Sequence, residues 1–280
     1  MTNVAIMTDS TCDIPLDLLE EHHISVVPLY VLWGDEELLD GKDIDNAGFY
    51  ARLPQDPIHP KTSQPTPGDF VHAIEELDAD EVVVIALSAA LSGTCDSALQ
   101  ARESLGIPVH VFDSRSLSMG VGWQVLAAAR ERERGGSVDD IIAAAERVRD
   151  RLSLLLTVDT LEYLHRGGRI GGAAKLLGSV VQIKPVLEVD HNTGVLEVAG
   201  KVRTRKRALQ EIVDETFRRL DGSEPMRVGV LHGAAPKDAR LLVDKVKEKS
   251  DPLELVMTQI TPVLGVHGGP GVVGIAAYNE

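Results

Sequence analysis

Short apolar, β-branched runs recur along the first half of the chain: VAIMT at 4–8, ISVVPLYVLW at 24–33, EVVVIAL at 81–87 and VHVF at 109–112. Such runs, apolar at successive rather than alternate positions, predict strands buried on both faces, as in a parallel sheet. Between them, residues 15–22, 69–77, 94–104, 116–134 and 138–152 space their apolar positions at helical intervals. Strand and helix alternate, which predicts an α/β domain with a doubly wound parallel sheet. Beyond about residue 153 the pattern changes. VVQIKPVLEVD and VLEVAGKVR, split by turn residues 191–194, predict a hairpin. Helices at 205–220 and 236–250 and strands at 226–232, 253–260 and 272–278 follow, a smaller α+β domain. The expected boundary lies near 155, giving domains 1–155 and 156–280.

One irregular stretch interrupts this order. Residues 53–68, LPQDPIHPKTSQPTPG, hold five prolines, and a loop of that length usually covers or lines something. Thr66-Pro67 within it suits a turn leading into a helix with proline at its first position.

With 280 residues, 44% hydrophobic and 25% charged, the chain has the composition of an ordinary folded protein of one large or two medium domains. No apolar run reaches the roughly 18 residues of a spanning helix, and MTNVAIMTDSTCD lacks the basic flank and apolar core of an export signal. A cytoplasmic protein is expected. Cys12 and Cys95 form no CxxC pair and no zinc spacing, so reduced thiols and no metal are expected. The net charge of −15 argues against a nucleic-acid binder. Eleven acids and only Lys42 fall in residues 1–50, whereas five cations crowd into Lys201–Arg207. That island suits a solvated helix start or a docking patch for an anionic partner.

Ligands of an open parallel sheet bind where the chain leaves the carboxyl ends of strands. Those exits carry small hydroxyl residues here: Asp9-Ser10-Thr11, Ser88 through Ser92-Gly93-Thr94, and Asp113-Ser114. Ser92 and Thr94 suit helix capping, and equally a cradle in which hydroxyls and helix-start N–H groups face a carboxylate or phosphate. Gly265–Gly271 places one histidine, His267, among four glycines, either a glycine-rich turn or a place of close backbone approach. Gly167–Gly172 has P-loop glycine spacing, but Ala173-Ala174 stands where a Lys-Ser/Thr pair is needed. No GxSxG, HExxH or EF-hand pattern occurs. A Ser92/His267 hydrolase or phosphotransferase remains the enzymatic alternative.

An ordered series of short motifs resembles the DegV family, whose members include the fatty-acid-binding subunits of bacterial fatty acid kinase. The series runs TDST at 8–11 with Asp13, KTSQPTP at 61–67, LSGT at 91–94, Asp113-Ser114, LEYLHRGGRI at 161–170, KPVL at 184–187, the basic 203–208 segment and HGGPG at 267–271. The resemblance implies one long-chain fatty acid held in a buried tunnel between the two domains. Its carboxylate would be presented to a separate ATP-dependent kinase, which makes acyl phosphate. The chain itself would be a carrier without cofactor, monomeric, and touching membranes transiently at most. Carried over by position, Thr62 and Ser92 would bond the carboxylate with His267 close by, Ser63 and Gly93 would assist, and Arg169, Arg203 and Arg205 would meet the kinase. Ser88-Ala89-Ala90 and Cys95 depart from the family's usual residues, which bears on chain-length preference rather than the anchor.

Overall fold

A computed structural model describes residues 2–178, 183–222 and 224–280. The elements run β1 (Val4–Asp9), α1 (Leu16–Glu21), β2 (Ile24–Val27), β3 (Tyr30–Trp33), β4 (Glu36–Leu39), α2 (Asn46–Arg52), β5 (Lys61–Ser63), α3 (Pro67–Glu75), β6 (Glu81–Ala86), α4 (Thr94–Arg102), β7 (Val109–Asp113), α5 (Met119–Glu133) and α6 (Val138–Arg151). They continue with β8 (Ser153–Thr157), α7 (Glu162–Arg166), β9 (Lys184–Val189), β10 (Leu196–Val202), α8 (Arg205–Arg219), β11 (Met226–His232), α9 (Pro236–Lys249), β12 (Glu254–Gln259), α10 (Pro262–Gly268) and β13 (Val273–Asn279).

The first sheet is parallel throughout, in the order β2-β1-β6-β7. Its apolar runs are continuous because both faces are covered. Val82 and Val84 of β6 meet Phe70, Ile74 and Ala98 of α3 and α4, while Val83 and Ile85 belong to the core built on α5. The second sheet has the order β10-β9-β8-β13-β11-β12, antiparallel except for β11–β12. Leu155, Val228, Val230 and Ile275 cluster with α8 and α9, and Leu154, Leu156 and Ala276 with the α5 core. α5 therefore lies between the sheets, and Trp123 Nε1 donates to the Ala276 carbonyl at 3.0 Å.

A third sheet, β4-β3-β5, is antiparallel. It revises the expected single strand over 24–33. Pro28 has no N–H for a ladder, the Leu29 N–H turns to Ser10 Oγ at 3.1 Å, and the chain crosses from the first sheet to the third. The proline-rich stretch is likewise not wholly irregular: Lys61–Ser63 pairs with Tyr30–Leu32, and Thr66 caps α3 with Pro67 at its first position. The helix expected from 116 begins at Met119, after Ser118 at φ 53°. Residues 180–182 of the expected hairpin lie outside the described residues; its remainder pairs Val189 with Leu196. Among the described residues no helix is long and apolar enough to cross a membrane.

Candidate functional site

Thr62 lies at the middle of β5, an end strand of the third sheet that pairs with β3. His267 lies in the last turn of α10, a helix where the sequence pattern offered a glycine-rich turn or a place of close backbone approach. The helix forms because Thr261 takes the extended conformation of an N-cap and Pro262 opens the first turn. Its glycines serve packing: a Cβ on Gly265 would stand 2.5 Å from Phe49 Cε1. These two elements bring Thr62 Oγ1 and His267 Nε2 to 2.8 Å across 205 positions of sequence.

Both residues line one cavity of about 80 Å³, together with Ser63, Gln64, Ser92 and Arg169. The remaining wall is almost wholly aliphatic. Its leucines come from separate places in the fold: Leu29, Leu87, Leu91 and Leu117 from the first part of the chain, Leu156, Leu164, Leu196, Leu231 and Leu264 from the second. An adjoining depression of about 490 Å³ shares Leu91, Ser92, Arg169 and Leu196 and adds Gly93 and Gly168. One end is thus hydroxyl, imidazole and guanidinium; the rest is hydrocarbon.

Ser92 Oγ pairs with Thr94 Oγ1 at 2.9 Å. Neither hydroxyl caps α4, whose N-cap is Gly93 without a side-chain bond. His267 is therefore partnered by Thr62, not by Ser92, and the nucleophile–base pair of a hydrolase is not the geometry present. Burial, then the charge of Arg169, pushes the imidazole down to about 4, so it is neutral near pH 7. Its Nδ1 is buried and has no hydrogen-bond partner among the described residues. A neutral imidazole and two hydroxyls can orient an anion without carrying charge themselves.

The docking cations separate on inspection. Arg169 lines the cavity rather than standing apart from it, with Nε on the Leu91 carbonyl at 3.1 Å and Nη1 on the Gly167 carbonyl at 2.8 Å. Arg203 is exposed. Arg205 braces the structure, donating to Asp238 Oδ2 at 2.8 Å and to the Gly271 carbonyl at 2.6 Å. Among the described residues no group of histidine, cysteine or carboxylate side chains is placed to hold a metal.

Sequence reasoning missed Gly167 and Gln64 as parts of this site. A Cβ on Gly167 would overlap the His267 ring, and Gln64 lies over Gly93, where a Cβ would come 2.9 Å from Nε2. Both stand inside motifs read for their neighbours, and neither close approach has a local sequence signal.

Residues 3–280 match the DegV family. A DegV domain-containing protein of Streptomyces coelicolor is 39% identical over 283 residues, covering 99% of each chain. Among solved structures, a DegV family protein from Thermus thermophilus, described for its fatty acid binding, superposes with a TM-score of 0.92 at 34% identity, over 99% of this chain and 100% of that one. DegV of Bacillus subtilis, described as a fatty acid binding protein, gives 0.92 at 32% identity over 100% of both chains.

Proposed function

Because the chain belongs to the DegV family, we propose that its cavity takes one long-chain fatty acid, tail among the leucines and carboxylate at Thr62, Ser92 and His267. At about 80 Å³ the slot must part its leucines or open toward the adjoining depression to admit the chain. The observation that carries this reading is the single cavity in which those three residues close one end of an aliphatic slot. The description of the Thermus and Bacillus relatives as fatty acid binders supports the ligand class.

The energetics divide between the two ends. About 15 methylenes at ~0.8 kcal/mol each give ~12 kcal/mol gross, before losses of motion. The head group needs mainly to be oriented and kept solvated. Thr62 and Ser92 donate O–H bonds, the Thr62 oxygen in turn accepting from Nε2–H of neutral His267, and Ser63 and the Gly93 backbone stand beside them. A carboxylate leaving water without a cation is costly; Arg169, at the same end, offsets that cost.

Held this way, the carboxylate is the substrate of a separate ATP-dependent kinase. One carboxylate oxygen attacks the γ-phosphorus, a C(O)O–P bond forms, the bond to the departing ADP breaks, and acyl phosphate results. Arg169 and Arg203 are the cations exposed for that encounter, while Arg205 holds its surroundings together. The chain is then a carrier that presents a substrate and supplies no phosphoryl chemistry of its own.

Purification from a heterologous host followed by solvent extraction and mass spectrometry tests the ligand. About one fatty acid per chain is expected. Protein that yields none, and takes up none when offered it, overturns the reading. In a kinase-coupled assay Thr62→Ala with Ser92→Ala should cut acyl phosphate formation while the folded far-UV spectrum persists; unchanged turnover would remove both residues from the anchor.

A further inference from the structure

The helix that carries His267 begins on side chains from the far end of the sequence. The Thr261 N–H donates to Asp13 Oδ1 at 2.9 Å, and the Val263 N–H donates to Asp40 Oδ1 at 3.3 Å. Thr261 makes no side-chain capping bond, so these two carboxyl groups take up N–H groups that a helix start leaves free. Their second oxygens are held as well. Ser10 Oγ donates to Asp40 Oδ2 at 2.7 Å, and Ser118 Oγ donates to Asp13 Oδ2. Ser10 also accepts the Leu29 N–H, at the point where the chain leaves β2 for β3.

The arrangement is costly, which asks for a reason. Asp13 and Asp40 are 4% and 2% exposed, Asp13 sits at φ 51°, and the charged groups felt by either are other acids. Buried carboxyls without a cation oppose stability, and a non-glycine residue in the left-handed region adds strain. Ordinary capping needs neither. What the pair adds is a fixed origin for a short lever: α10 has seven residues, and at 1.5 Å per residue its start lies about 9 Å from His267. Between the two, Gly265 packs directly against the Phe49 ring.

We propose that Asp13 and Asp40 are positioning residues for head-group recognition, fixing the start of α10 and so the place where His267 meets Thr62. This rests on the reading that the cavity takes a fatty acid by its carboxylate. Neither residue touches the ligand; each acts through the helix.

The test compares palmitic acid with hexadecanol, which has the same tail and no carboxylate, in equilibrium binding to wild type, Asp40→Ala, Asp40→Asn and Ser10→Ala. Asp40→Ala should lower the preference for acid over alcohol about tenfold, the value of one ordinary hydrogen bond, while alcohol affinity stays within about twofold. Asp40→Asn keeps an acceptor for the Val263 N–H and should restore most of the preference. If Asp40→Ala does not fold, Ser10→Ala, which removes the bond to Oδ2 together with the acceptor of the Leu29 N–H, should lower the same ratio by a smaller factor, any loss through Leu29 falling equally on acid and alcohol. An unchanged ratio in the folded variant, or equal losses for both ligands, overturns the positioning role alone. Wild type that binds neither ligand removes the fatty acid reading and this proposal with it.

Discussion

At the scale of single residues the site is set by contacts that leave no room for a methyl group. Gly167 has φ −77°, so alanine suits its backbone, yet its Cβ would overlap the His267 ring. Gly167→Ala should therefore displace the ring, lowering Tm by a few degrees at an overpacking cost of ~1–3 kcal/mol, and weaken fatty acid binding. Thermal melts and equilibrium binding read the two separately, and full affinity in Gly167→Ala would show that the ring has room to move. Ser92 and His267 stood out in the sequence as candidates, a hydroxyl at a strand exit and a histidine amid glycines, whereas Thr62 was marked only by the resemblance of KTSQPTP to the family's motif. Gln64 and Gly167 did not stand out, since their importance lies in what faces them from distant elements.

At the scale of elements, α5 explains most. Its residues from Met119 to Leu126 are buried without a break, the mark of a helix covered on all sides. Gly122 allows this closeness: a Cβ there would stand 2.8 Å from the Cys12 carbonyl oxygen. Alanine would gain ~1 kcal/mol of helix propensity. Overpacking against backbone, which yields little, costs ~1–3 kcal/mol, so Gly122→Ala should lower Tm by a few degrees in a thermal melt; a raised Tm would show that α5 can shift. Helix spacing over 116–134 made α5 readable, whereas its place between two sheets depends on partners such as Ala276. The division of residues 24–33 was unreadable for a related reason: Pro28 marks a break, but only the Ser10 hydroxyl across the sheet decides where the chain goes next.

At the scale of the whole molecule, buried groups act oppositely across one pH window, Asp40 with Asp9 and Asp13 on one side and His267 on the other. Burial pushes Asp40 up to about 7 against neighbours Asp9, Asp13 and Tyr50, with Ser10 and the Val263 N–H lowering it in part. The folded state then holds a proton that the unfolded chain releases near 3.8, so this group's contribution is full below about 4 and declines as pH rises toward 7. His267, pushed down to about 4 from 6.5, declines in the other direction, as pH falls from 6.5. Asp40→Asn removes the effect of Asp40 alone. The difference in Tm, variant minus wild type, should therefore grow more positive between pH 4.5 and 7.5; a constant difference would place the proton elsewhere.

The aliphatic wall has a further implication, because its leucines are spread over many separate strands, helices and connections, with only Leu87 and Leu91 sharing one. Exchanging one for valine, methionine or phenylalanine alters the slot's length or girth at a single point and leaves the polar end untouched. On the proposed reading, selectivity for the tail can thus drift by solitary substitutions while the polar end stays constant, and a lineage of such chains can diversify its cargo without altering how the head group is held.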